Sequence, residues 1–210
     1  MTSLLRGYAV VLMLAGVFMS GCGASFQAGG DLAQGRQALF SGNYPAALSY
    51  FQQAAQSDPN AMYGAELREG VLSYLGRAQY LNGQLPAARA TLQQSLAQHK
   101  SNNLTRLYLG LTLAREGDRK AATTEIQSAL KGMNDFLNYI INTFQNTFGS
   151  FWDQNGSLRK SIAANQSMIT SGNIEWSVLI SNLEQLAINY EQVEDIATQD
   201  QRQFQQMNQP

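Results

Sequence analysis

Apolar side chains recur at intervals of three and four through most of this chain, the spacing of one face of an α-helix. Three segments share one version of the pattern: GNYPAALSYFQQAAQSDP, GQLPAARATLQQSLAQHK and GDRKAATTEIQSALKGMN. Five positions beyond the turn glycine stands Ala47, Ala88 or Ala122; four further on comes Phe51, Leu92 or Ile126, and three beyond that Ala54, Ser95 or Ala129. Small residues on that face admit a neighbouring helix, and the larger ones fill the space beside them.

Each segment is preceded by a second glycine seven residues before the turn, giving the pairs Gly35 and Gly42, Gly76 and Gly83, Gly110 and Gly117. Gly35, Gly76 and Gly110 fall inside helical patterns, where glycine costs about 1 kcal/mol relative to alanine. Three such glycines in register predict close helix packing. The last two pairs lie 34 residues apart, and the whole resembles the tetratricopeptide repeat, a helix-turn-helix unit of that period. The resemblance covers about residues 28 to 132 and implies an all-α, three-repeat helical solenoid. Asp58-Pro59 closes the first repeat, since proline cannot continue a helix. The first two repeats are 41 residues apart, so an insertion of about seven residues is expected around Asn60 to Glu66. The third repeat lacks a closing proline, and its second helix is expected to run on or bend near Gly132.

Beyond the array the pattern predicts capping helices. In MNDFLNYIINTFQNTFGSFW, Phe136, Ile140, Phe144 and Phe148 recur every four residues, while Asn134, Asn138, Asn142 and Asn146 do so on the opposite side. This amphipathic helix, Met133 to Trp152, is expected to cover the exposed end of the third repeat. A break at Gly149 and DQNGS precedes a shorter helix, Ser157 to Ser171, with Leu158, Ile162 and Ile169 inward and Gly172 ending it. A long helix then begins near Ile174, capped by Asn173, with Trp176, Ile180, Leu183, Ala187, Tyr190 and Val193 along one stripe. The glutamine-rich end, QRQFQQMNQP, is expected to fray.

At the other end, Arg6 precedes an uncharged stretch from Gly7 to Phe18. Twelve such residues are too few to span a bilayer, which takes about 20, but suit the core of a secretory signal. Ser20 and Gly21 stand directly before Cys22, the single cysteine. This resembles the lipobox of bacterial lipoproteins, with Met19 where leucine is usual. The resemblance implies cleavage before Cys22, lipidation of that residue, and a periplasm-facing protein attached to the membrane by its N-terminal lipid. Gly23, in place of the aspartate that favours inner-membrane retention, points to the bacterial outer membrane. The expected organisation is therefore a signal peptide at 1–21, a flexible tether at 22–30, the array at 31–132 and a C-terminal helical extension at 133–210.

Charge adds one asymmetry. Gly30 to Gly132 holds ten basic and seven acidic residues, whereas Met133 to Pro210 holds three basic and eight acidic. The acidic helices either fold back on the array or face a separate basic partner, or the two faces are simply solvated. No concentrated basic patch calls for nucleic acid. With Cys22 assigned to lipid and the lone His99 in a loop, cysteine-histidine chemistry and histidine-cysteine metal sites are excluded. No phosphate loop or strand pattern is present, and Glu191, Glu194 and Asp195 are expected to be solvated on the last helix. The chain is expected to be no enzyme, with no catalytic residue, no cofactor and no metal.

The resemblance implies instead a concave groove lined by the first helix of each repeat. Its inner positions are Leu32, Arg36, Leu39 and Phe40; then Ser73, Arg77, Tyr80 and Leu81; then Leu107, Leu111 and Arg115. Aliphatic and aromatic side chains interleaved with arginine suit a peptide or helix. The chain is expected to act as a scaffold or assembly factor for an unidentified protein or peptide of the envelope; the alternative is a structural envelope protein whose groove is filled by its own acidic C-terminal helices. Exposure of Tyr80 and Leu111 decides between the two.

Overall fold

The computed structural model describes residues 20–207 and contains three helix pairs followed by two further helices. The first pair is α1 (Ser20–Phe40) and α2 (Tyr44–Ser57), the second α3 (Val71–Leu81) and α4 (Leu85–Gln98), the third α5 (Asn103–Glu116) and α6 (Arg119–Thr143). A 3-10 turn, Phe148–Phe151, leads to α7 (Ser157–Thr170) and α8 (Trp176–Met207). Among the described residues no helix is long and apolar enough to cross a membrane.

The glycine pairs act as the pattern requires. Gly42, Gly83 and Gly117 turn the chain with φ of +76°, +74° and +95°, values that a Cβ disfavours. Asn43 and Asp118 then accept hydrogen bonds from the amides of Ala46 and Ala121, capping α2 and α6. The earlier glycine of each pair faces the large residue of its partner helix: a Cβ on Gly76 would lie 2.6 Å from Leu92 Cγ, and one on Gly110 2.7 Å from Ile126 Cγ1. Gly35 meets Phe51 in the same way. Ala47, Ala88, Ala122, Phe51, Leu92 and Ile126 are all fully buried.

The insertion folds as a small antiparallel hairpin, β1 (Met62–Tyr63) with β2 (Glu69–Gly70), pairing Met62 with Gly70 and Tyr63 with Glu69. The sequence pattern showed no strand here, because two residues per strand are too few to display alternation.

Other boundaries also differ from expectation. Residues 22–30, expected as a tether, form the first half of α1 in spite of Gly29 and Gly30; Ala28, on the same face as Leu32, is fully buried. The expected signal segment lies almost wholly outside the described residues, as do residues 208–210 and the side chain of Cys22. α6 passes Gly132 unbroken, the missing Cβ leaving room for the Asn103 side chain at the start of α5. The capping helix is thus the continuation of α6, with Met133, Leu137 and Ile140 buried. It stops at Thr143, and Phe144 and Phe148 stack at 4.5 Å across the turn that follows.

α7 keeps its expected inward face, Leu158, Ile162 and Ile169, and Gly172 follows it with φ +80°. The buried Asp153 carboxylate accepts the Leu158 amide at 2.8 Å and closes the start of that helix. α8 begins at Trp176 rather than Ile174 and continues to Met207, through the segment expected to fray. Leu183, Ala187, Tyr190 and Val193 of its expected stripe are buried, while Trp176 and Ile180 are half-buried.

The glycines give a direct test. Gly110→Ala, a change that favours an open helix by about 1 kcal/mol, should here cost about 1–3 kcal/mol through overpacking against Ile126. Gly29→Ala, whose Cβ would meet nothing within 4 Å, should show the ordinary gain. Urea titrations of the two variants followed by circular dichroism compare them.

Candidate functional site

α1, α3 and α5 pack side by side, and α8 lies against α5 and reaches α1 and α3 through its side chains. Leu32, Arg77, Tyr80, Leu107 and Leu111 are wholly buried, and Leu39 and Arg36 nearly so. Phe40 and Leu81 are half-buried, and Arg115 remains exposed at the rim. Tyr80 and Leu111 are therefore not available to solvent. Apart from Phe40, Leu81 and Arg115, the residues expected to line an open groove are covered from within the chain.

Contacts run along α8 in order. Near its start, Glu184 accepts hydrogen bonds from the Tyr80 hydroxyl at 2.5 Å and from Arg115 Nη2 at 2.6 Å. Two turns further on, the Glu191 carboxylate accepts from Arg36 Nε at 3.1 Å and from Arg77 Nη2. Asp195 accepts from Arg36 Nη2 at 3.0 Å. Glu194 takes the amides of Ala65, Glu66 and Leu67 at 3.1, 2.6 and 3.2 Å. Since Tyr80 ends α3 and the hairpin precedes it, α8 runs antiparallel to α3. The fold-back reading of the charge asymmetry is the one the structure adopts, and Glu191 in particular is buried rather than solvated.

Arg36 and Arg77 each follow the helical glycine of their repeat, so Glu191 joins equivalent positions of two successive repeats. The third repeat has Leu111 there. Arg77 lies between aromatic rings, its guanidinium carbon 5.0 Å from the Tyr74 centroid and 5.1 Å from that of Tyr108. Arg36 sits 4.3 Å over Tyr63 of the hairpin. Burial opposes the charge on Arg77, but Glu191, Tyr108 and Tyr74 together raise its pKa above the ordinary arginine value. The cation is held, not merely tolerated.

A second carboxylate lies beneath. Glu69 Oε2 accepts from Ser73 Oγ at 2.5 Å and Asn102 Nδ2 at 2.9 Å, and Thr105 Oγ1 donates to Ser73 Oγ at 2.7 Å. Ser73 was expected in the groove; Glu69 and Asn102 were not, since nothing in the helical pattern marks a hairpin residue or a helix cap as groove components. Burial, the largest influence, raises the Glu69 carboxyl above its ordinary 4.5, against lowering by Arg77, Ser73 and Asn102. Among the described residues no group of three or more histidine, cysteine, aspartate or glutamate side chains is placed to hold a metal ion.

Comparison with known families gives one match: residues 38–108 fit the family described as a tetratricopeptide repeat. No curated protein and no solved structure matches the chain.

Removing one partner from a buried pair leaves an uncompensated charge, which costs about 3–5 kcal/mol. Glu191→Ala should destabilise the chain by that amount, whereas Arg115→Ala, at the solvated rim, should cost about 0–1 kcal/mol; chemical denaturation of both variants measures the difference. The pH dependence of Glu69 follows from its sign. A carboxyl whose pKa is raised on folding prefers to be protonated in the folded chain, so it weakens folding as pH climbs above the unfolded value near 4.5. Glu69→Gln should therefore gain stability over the native chain at neutral pH. That gain should shrink towards zero as pH falls to 4.5 and below, as followed by urea titrations across the range.

Proposed function

We propose that this chain, which carries tetratricopeptide repeats, is a non-enzymatic scaffold of the bacterial cell envelope, tethered through Cys22 and recognising a protein partner through its groove. The repeat family supports protein-protein interaction. The arrangement Arg6, Gly7 to Phe18, then Cys22 supports a lipid tether, and Gly23 favours the outer membrane with the array facing the periplasm. Several acyl chains would make that attachment stable, since each buried methylene adds about 0.8 kcal/mol.

The observation that carries the reading is that α8 already behaves as a groove ligand. It lies against the inner helices of the array as a helix and pairs Arg36, Arg77, Tyr80 and Arg115 with carboxylates. A surface that binds one amphipathic helix through charged and apolar contacts has the chemistry to bind another. In the closed state the protein is an assembly factor with its site covered, and a partner gains access by displacing α8.

Two measurements test this. Cys22→Ala should leave the chain in the aqueous fraction of a cell lysate; unchanged membrane attachment would rule out the tether. Crosslinking in intact cells should capture a reproducible partner whose yield rises when Glu191→Gln loosens α8 and falls when an engineered disulfide pins α8 to α3. A yield indifferent to both changes would place partner binding outside the groove.

A further inference from the structure

The inserted hairpin, which breaks the repeat period, carries a feature the repeats do not need. Gly64, at φ +93°, turns the chain so that the amides of Ala65, Glu66 and Leu67 converge on one carboxylate, that of Glu194. Convergent backbone amides after a left-handed residue form an anion-binding concavity. The turn depends on the absence of a side chain at Gly64, where a Cβ would press on the Leu67 carbonyl. Beside it, Arg36 Nη2 holds Asp195, whose side chain is 58% exposed. A cavity of about 250 Å³ opens between the hairpin and α8, lined by Arg36, Tyr63, Gly64, Glu194 and Asp195 among others.

We propose that the Gly64–Leu67 turn and Arg36 form a receiving site for two adjacent carboxylates on a helix of another protein, and that Glu194 and Asp195 occupy it in the closed chain. This deepens the reading above and rests on it. Glu194 is half-buried and Asp195 exposed, so their own side chains leave the site more readily than Glu191 and Arg77, which are buried. The chemistry is charge-complementary: three N–H groups and a guanidinium donate to a carboxylate about twice as strongly as to the neutral oxygen of an amide, and offer nothing to an apolar side chain. The ligand is an acidic amphipathic helix with neighbouring glutamate and aspartate.

The test uses the full chain carrying Glu194→Gln and Asp195→Asn, which empties the site of its own charges. It is titrated with a fluorescein-labelled peptide of sequence Trp176–Met207, and with the same peptide carrying those two substitutions. The native peptide should bind at least about tenfold more tightly and should slow hydrogen exchange at the amides of Ala65, Glu66 and Leu67. Adding Gly64→Val to the chain should abolish that preference. Should both peptides bind alike, the site does not select carboxylates and the proposal fails while the groove reading stands. If neither peptide binds although α8 amides exchange freely in the variant chain, the groove reading itself falls, and this proposal with it. A variant chain that sediments as a dimer with those three amides already protected would make the occupant a second copy and overturn the assignment to a separate partner.

Discussion

The closed arrangement depends on one carboxylate shared by two arginines. Glu191 is 4% exposed and meets Arg36 and Arg77, which are 8% and 0% exposed. Desolvating three charges is expensive, and an apolar cluster of equal volume would stabilise such a site as well or better. What the ions add is position. A leucine stripe can slide by a turn along a groove, but a carboxylate between two fixed guanidinium groups cannot. The clamp sets the register of α8, and with it the places where Glu184 and Glu194 meet the array.

How much of this could be read from the chain depends on the range of the interaction. The glycine phase encodes local geometry, a missing Cβ opposite a large side chain sixteen positions on, and it fixed the three helix pairs and their buried faces. The Arg36–Glu191 contact spans 155 positions, and no periodicity reports such a distance; only the unequal charge of the two halves hinted at it. Tyr80 and Leu111 were legible as inner-face residues, but their burial depended on α8. The misplaced ends have the same origin. Spacing by four continues through Phe144 and Phe148 because both still pack, although the helix has already ended at Thr143. Glycines near residue 30 read as a tether because the pattern could not weigh them against the burial of Ala28 and Leu32.

The hairpin shows why a departure from a repeat is worth as much as the repeat. The 34-residue period explains the glycines, the small residues and the caps, all of which serve packing. The extra residues before α3 add some packing of their own through Ala61, Tyr63 and Leu67, and something more. They bring Tyr63 over Arg36, Glu69 beneath Ser73, and three amides to Glu194. Each of these contacts lies where the first and second repeats meet α8.

α8 is therefore two materials in one rod. Leu179, Leu183, Leu186 and Ala187 of its first half sit in the same apolar core as α5, α6 and α7, and Tyr190, Val193 and Ala197 continue that contact, while Glu191, Glu194 and Asp195 add charged contacts to the first two repeats and the hairpin. Buried ion pairs are screened little by salt, as for Glu191 with Arg36 and Arg77, whereas exposed charges are screened within about 8 Å at physiological ionic strength, as for Asp195, 58% exposed. Salt therefore reaches only the outermost bond of the clamp, so that ionic strength would trim one contact of Arg36 and leave the helix seated along its whole length.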